Sequence, residues 1–149
     1  MGRERKFTCH RCGFEFYEQS GIGFLYPTLL REAVEDGKAG KLGKEVEEFF
    51  KDYPNGALNV SEAAYFCKKC NAIKNAPKYT MYVPKEDGAN VPDFYMPGEI
   101  RFWFRKYKNY SHKCEECGSK MNLLTANAKP KCPGCGELLK AEISDILWD

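Results

Sequence analysis

The chain has 149 residues, 43% hydrophobic and 14% aromatic, which fits a globular protein of one domain or two small ones. Its 23 basic and 21 acidic residues leave a net charge of +2, too small to argue for nucleic acid by itself. No stretch approaches the roughly 20 apolar residues of a membrane span, and the basic start Met1 to Lys6 runs into Phe7-Thr8-Cys9-His10 where a secretory signal needs an apolar run. The expectation is a cytoplasmic protein, in a reducing compartment where paired cysteines hold metal more often than they form disulfides.

Taken in order, Cys9-His10-Arg11-Cys12-Gly13 is a first metal knuckle, with Gly13 placed where the backbone folds back at positive φ. Phe14 to Tyr17 reads as a short strand, broken by Ser20-Gly21-Ile22-Gly23. Leu25, Leu29, Leu30, Ala33 and Val34 mark one face of a helix from about Pro27 to Asp36, with Gly37 as its stop. Val46, Phe49, Phe50 and Tyr53 form the apolar stripe of a second helix, ended at Pro54-Asn55-Gly56. Ala63 to Phe66 is a strand entering the knuckle Cys67-Lys68-Lys69-Cys70, and Tyr79 to Val83 a strand leaving it. Residues 84–98, rich in Pro and Gly, read as a linker. The longest strand signal, Glu99 to Tyr110, leads to the knuckle Cys114–Cys117, and Met121 to Leu124 leaves it. Leu138 to Ile143 leaves the last knuckle, Cys132–Cys135, and a partly apolar tail, Ser144 to Asp149, is placed to dock on the core.

The eight cysteines thus form four Cys-x-x-Cys pairs: Cys9/Cys12, Cys67/Cys70, Cys114/Cys117 and Cys132/Cys135. Two such pairs make a tetrahedron of thiolates, so eight sulfurs imply two sites. The pairing expected is sequential: Cys9/Cys12 with Cys67/Cys70, and Cys114/Cys117 with Cys132/Cys135, which lie 14 residues apart. A cross-braced pairing, first with third and second with fourth, is the alternative. The ions expected are two Zn2+, with iron as the alternative, since a four-cysteine site also holds a single iron that passes one electron.

Cys114-x-x-Cys117-Gly118 with Cys132-Pro133-x-Cys135-Gly136 resembles a zinc ribbon, or rubredoxin-like pair of knuckles, over about residues 100–145. Cys12-Gly13-Phe14, Gly21 to Pro27 and Tyr65-Phe66-Cys67 resemble small uncharacterised bacterial zinc-ribbon proteins. The resemblance implies metal binding and no particular activity. The fold expected is α+β: a zinc-ribbon-like unit with a two-helix insertion at 1–83, the linker 84–98, and a compact ribbon at 99–149.

Other readings are narrower. On a strand through 100–110, Arg101, Trp103, Arg105 and Tyr107 would share a face, flanked by Lys106 and Lys108, and could stack bases and hold phosphates; the plainer reading is arginine stems covering a sheet. His10 and His112 are not needed as ligands beside eight cysteines. The chain has no His-Glu-x-x-His, no Walker motif, no nucleophile elbow and no deaminase signature, and four sulfurs leave a metal no open position, so catalysis is not expected. The expected role is an interaction module, its partner a protein or a nucleic acid and its oligomeric state unspecified.

Overall fold

The computed structural model describes residues 2–22, 26–86, 91 and 98–148, of which 26–30, 143–145 and 148 through their backbone alone. The architecture is mixed α+β with antiparallel strands. In chain order the elements are β1 (Gly2–Thr8), β2 (Glu15–Gly21), α1 (Tyr26–Lys38), α2 (Lys44–Asp52), β3 (Ala57–Phe66), β4 (Ile73–Pro84), α3 (Ile100–Trp103), β5 (Phe104–Asn109), β6 (Asn122–Leu123) and β7 (Lys140–Trp148). No helix among the described residues is long and apolar enough to cross a membrane.

The chain folds as two compact units, and their boundaries are not the expected ones. The first comprises Met1–Gly23, Ser61–Pro77 and Ser111–Asp149; the second comprises Phe24–Val60 and Lys78–Tyr110. All four knuckles lie in the first unit and both longer helices in the second, so the division into two metal-centred units at 1–83 and 99–149 is corrected. The linker read at 84–98 begins with the end of β4, and Lys85 N–H donates to the Trp103 carbonyl at 2.9 Å. Residues 87–90 and 92–97 of that stretch lie outside the described residues, as does Leu25.

In the first unit β1 is the centre of a ladder. It pairs antiparallel with β2, Phe7 opposite Phe16, and on its other side with β7, Thr8 opposite Lys140. The charged run Arg3-Glu4-Arg5-Lys6 carries no strand signal of its own; it is a strand because both neighbours hydrogen-bond to it. Arg5 stands directly opposite Glu18, and their side chains pair at 2.5 Å, which satisfies a carboxylate residue only 4% exposed. The tail continues as β7 well past Ile143, with Ile146 and Leu147 exposed.

β3 separates two small cores by its alternation. Ala63, Tyr65 and Cys67 pack with Cys114 and Met121, while Ala64 and Phe66 pack with Phe7, Cys9, Leu124, Cys132 and Leu139. Each core therefore contains the first cysteine of two knuckles.

The second unit is built on α1, α2 and the strand segments that enter it. Val46, Phe49 and Phe50 of α2 pack against Ala33, Leu58, Met81 and Val83, as the apolar stripe predicts. Full burial of side chains such as Leu58 and Val46 is worth roughly 1.5–3 kcal/mol each. Gly37 is not the stop of α1 but lies inside it, where a Cβ would come within 2.8 Å of Phe50 and 2.9 Å of Val46. The helix ends instead in a Schellman turn: Lys41 N–H donates to the Asp36 carbonyl and Gly40 N–H to that of Gly37, with Gly40 at φ +80°. Gly37→Ala should destabilise the protein by about 1–3 kcal/mol through overpacking, against the gain of up to ~1 kcal/mol that alanine brings to a helix. Urea denaturation of the variant checks this, and a stabilised protein would contradict it.

The strand expected from Glu99 to Tyr110 is half helix. Phe102 N–H donates to the Glu99 carbonyl and Phe104 N–H to that of Ile100, forming α3 before β5 begins. Ile100 and Phe104, four residues apart, are both buried against Ala57. A strand would have put Phe102 beside them, but it is 61% exposed.

Candidate metal centres

Each knuckle is the same turn. The N–H of its first cysteine donates to the carbonyl five residues on, and the N–H four residues on returns to that cysteine's carbonyl. The pairs are Cys9–Phe14 with Gly13, Cys67–Ala72 with Asn71, Cys114–Ser119 with Gly118, and Cys132–Glu137 with Gly136, at 2.6–2.9 Å. The returning residue must sit in the left-handed region, and it does: Gly13 φ +79°, Asn71 +65°, Gly118 +72°, Gly136 +79°. Asparagine is the side chain that tolerates this best after glycine, which is why the second knuckle works without one.

The four knuckles assemble into two clusters, and the pairing is nested. Cys9 and Cys12 meet Cys132 and Cys135; Cys67 and Cys70 meet Cys114 and Cys117. Both the sequential pairing and the cross-braced alternative are thereby corrected. The cause is the strand ladder. β1 leads into the first knuckle and β7 leaves the fourth, and Thr8 lies opposite Lys140. β3 leads into the second knuckle and β6 leaves the third, and Phe66 lies opposite Asn122. Antiparallel pairing thus sets knuckles one and four at one ladder end, and two and three at another.

The geometry fits a tetrahedral thiolate site. The four ligand atoms of each cluster lie within 4.8 Å of one another. The closest cross-pair sulfurs are Cys9–Cys135 and Cys12–Cys132 at 3.5 Å, Cys67–Cys117 at 3.5 Å and Cys70–Cys114 at 3.3 Å. Sulfurs each ~2.3 Å from a central zinc would be about 3.8 Å apart, close to these values, whereas a disulfide needs about 2.05 Å. All eight cysteines are free thiols. The first of each pair is buried, and the second faces outward to differing degrees. Gly134 N–H also donates to Cys132 Sγ at 3.3 Å, directing positive charge at a sulfur.

The sulfurs compete for protons. Cys9 is held down to about 7, first by the backbone N–H of Cys12, and Cys117 to about 6, first by the Ser119 hydroxyl. Backbone amides of Phe14 and Ala72 pull Cys12 and Cys70 down, but the sulfurs around them and burial win and push both up to about 12. Cys135 is raised as well, burial and Cys9 outweighing the Glu137 amide. A divalent cation at the centre of four sulfurs favours their ionised form.

The histidines supply no ligand. His10 is exposed, and His112 donates from Nε2 to the Pro77 carbonyl at 2.7 Å with its ring 4.4 Å from that of Tyr65. The residues read as a nucleic-acid face do not lie on one strand, because α3 holds Arg101 and Trp103 while β5 holds Arg105, Lys106, Tyr107 and Lys108. Trp103 packs on the Ile100–Phe104 core. The Tyr107 ring sits 5.5 Å from Phe49 and 5.4 Å from Tyr53, and Lys108 pairs with Glu45 at 2.9 Å. Arg101, Arg105 and Lys106 are exposed. The chain matches no protein-family model, no curated protein and no solved structure.

Proposed function

We propose that this chain is a non-catalytic, zinc-ribbon-like module of the cytoplasm. Its two zinc ions are structural, and it acts by presenting a metal-braced surface to a macromolecular partner. The observation that carries the reading is the complete four-sulfur set of each cluster. A zinc ion held by four thiolates has no position left for substrate or water, so its contribution is to folding and shape. The nested sets stand one at the end of the β1–β7 pairing and one at the end of the β3–β6 pairing, where each brings together segments distant along the chain. Protein isolated from its native cell should carry two zinc ions per chain and be colourless. A red protein that bleaches on one-electron reduction, or a chain without metal, would sink this reading.

A further inference from the structure

The first unit carries a groove beside its metal sites, with the ligand Cys67 in the lining. Its volume is about 710 Å³, within the range of ligand-binding clefts. Three lysines line it, Lys68, Lys129 and Lys131, and no acidic residue does. None of the three forms an ion pair among the described residues, although Arg5, Lys6, Arg11 and Lys74 of the same unit each meet a carboxylate. Three amide side chains, Asn71, Asn122 and Asn127, share the lining with the ring of Phe66.

The groove is built before any ligand arrives. The second knuckle lines it through Cys67, Lys68 and Asn71, and β6 through Asn122 and Leu123. Phe66 of β3 and the loop 125–131 supply the rest of the lining. Leu124 N–H donates to the Ala64 carbonyl at 2.8 Å at one end of that loop, and Leu139 N–H to that of buried Pro130 at 3.0 Å near the other. Ala128 N–H closes a turn onto Thr125 at 3.1 Å between them. Lys131 precedes Cys132 directly, so the loop is tied to the outer cluster and the knuckle to the inner one.

We propose that this groove binds a segment of single-stranded nucleic acid. Three unpaired lysines suit a chain of phosphates, the half-buried Phe66 side chain lies in the lining as an apolar surface for a base, and the amides both donate to and accept from base edges. An acidic peptide would meet the same lysines, and polyglutamate in the test below separates the two. A duplex keeps its bases stacked and has none free to meet the Phe66 side chain. The inference rests on the zinc-braced reading in that the lining segments adjoin the ligands Cys67 and Cys132.

The test is fluorescence anisotropy of labelled single-stranded RNA and DNA with the full zinc-loaded chain, over a series of salt concentrations. The wild type should bind in a salt-sensitive way, and a duplex of the same sequence should bind more weakly. The triple variant Lys68→Ala, Lys129→Ala, Lys131→Ala should lose at least about tenfold in affinity, and its salt slope should fall by about two, at ~0.7 per phosphate contact. Lys129→Glu alone, three residues from the nearest ligand, should weaken binding with both metals retained, and the triple Lys→Arg variant should restore it. Polyglutamate serves as the competing acidic chain. Failure of the wild type to bind, unchanged affinity in the zinc-loaded triple variant, or displacement by polyglutamate as readily as by the oligonucleotide each overturns the proposal. Metal content is measured on the same samples. A zinc-free chain counts against the module reading, whereas a zinc-loaded chain indifferent to oligonucleotide counts against the groove alone.

Discussion

Cys9→Ser and Cys132→Ser should each cost the chain one metal ion, and the double variant should cost no more than either. Cys67→Ser and Cys114→Ser should behave the same way at the other cluster. Combining Cys9→Ser with Cys67→Ser should remove both ions. These outcomes follow from the nested sulfur sets. A sequential pairing would reverse them, because Cys9 and Cys67 would then serve one ion. Native mass spectrometry counts the metals directly. The loss in stability should be large, since zinc-finger peptides draw about 10–16 kcal/mol of apparent binding energy from one structural site, comparable with the whole net stability of a domain, about 5–15 kcal/mol. If the Cys9→Ser, Cys132→Ser chain lost both ions, the clusters would not be independent, and the geometry described above would be insufficient.

Removing both ions with a strong chelator should unravel the first unit before the second. The first unit's cores are small and each includes two ligand cysteines, Cys9 with Cys132 and Cys67 with Cys114. Without a cation those positions leave clustered polar sulfurs inside the core with no ion to hold them together. The second unit has a core free of cysteine, with Phe49, Phe50, Leu58 and Met81 at its centre. Hydrogen exchange should therefore lose protection along β1, β6, β7 and residues 61–66 of β3. Protection should persist in α2 and in the ladder that sets Thr80 opposite Asn109 and Val83 opposite Arg105. Equal loss in both units, or none in either, would show that the ions do not do this work.

The residue chemistry of the metal sites was legible in the sequence, and their connectivity was not. Cysteine spacing and the glycine after each of three pairs identify the knuckles, because the turn itself dictates both. Pairing was inferred from proximity along the chain, which is a weak physical lever. Closing the loop 13–131 instead of 118–131 costs only about 2 kcal/mol more. The β1–β7 ladder offsets that readily, and β1 was hidden in a charged run whose strand character comes from its neighbours. The second helix was legible because Val46, Phe49 and Phe50 repeat at helical spacing and are buried. The Glu99–Tyr110 stretch misled for the opposite reason. Its alternation of aromatic and basic residues satisfies a strand pattern, yet burying Ile100 and Phe104 together needs one helical turn. Gly37 was read as punctuation when its task is the close approach of α1 to α2.

The nesting of the two clusters has a consequence for assembly. The inner clamp, between Cys70 and Cys114, lies wholly within the segment enclosed by the outer one, between Cys12 and Cys132. Cys114 and Cys117 leave the ribosome before Cys132 and Cys135, so the inner ion has the earlier opportunity to bind. Once it is bound, the outer closure spans a shorter effective contour, 13–66 together with 118–131, which eases it by something on the order of 0.5 kcal/mol. Neither crosslink has to thread through the other. The chain can take up its metals from the inside outward, each step making the next a shorter reach.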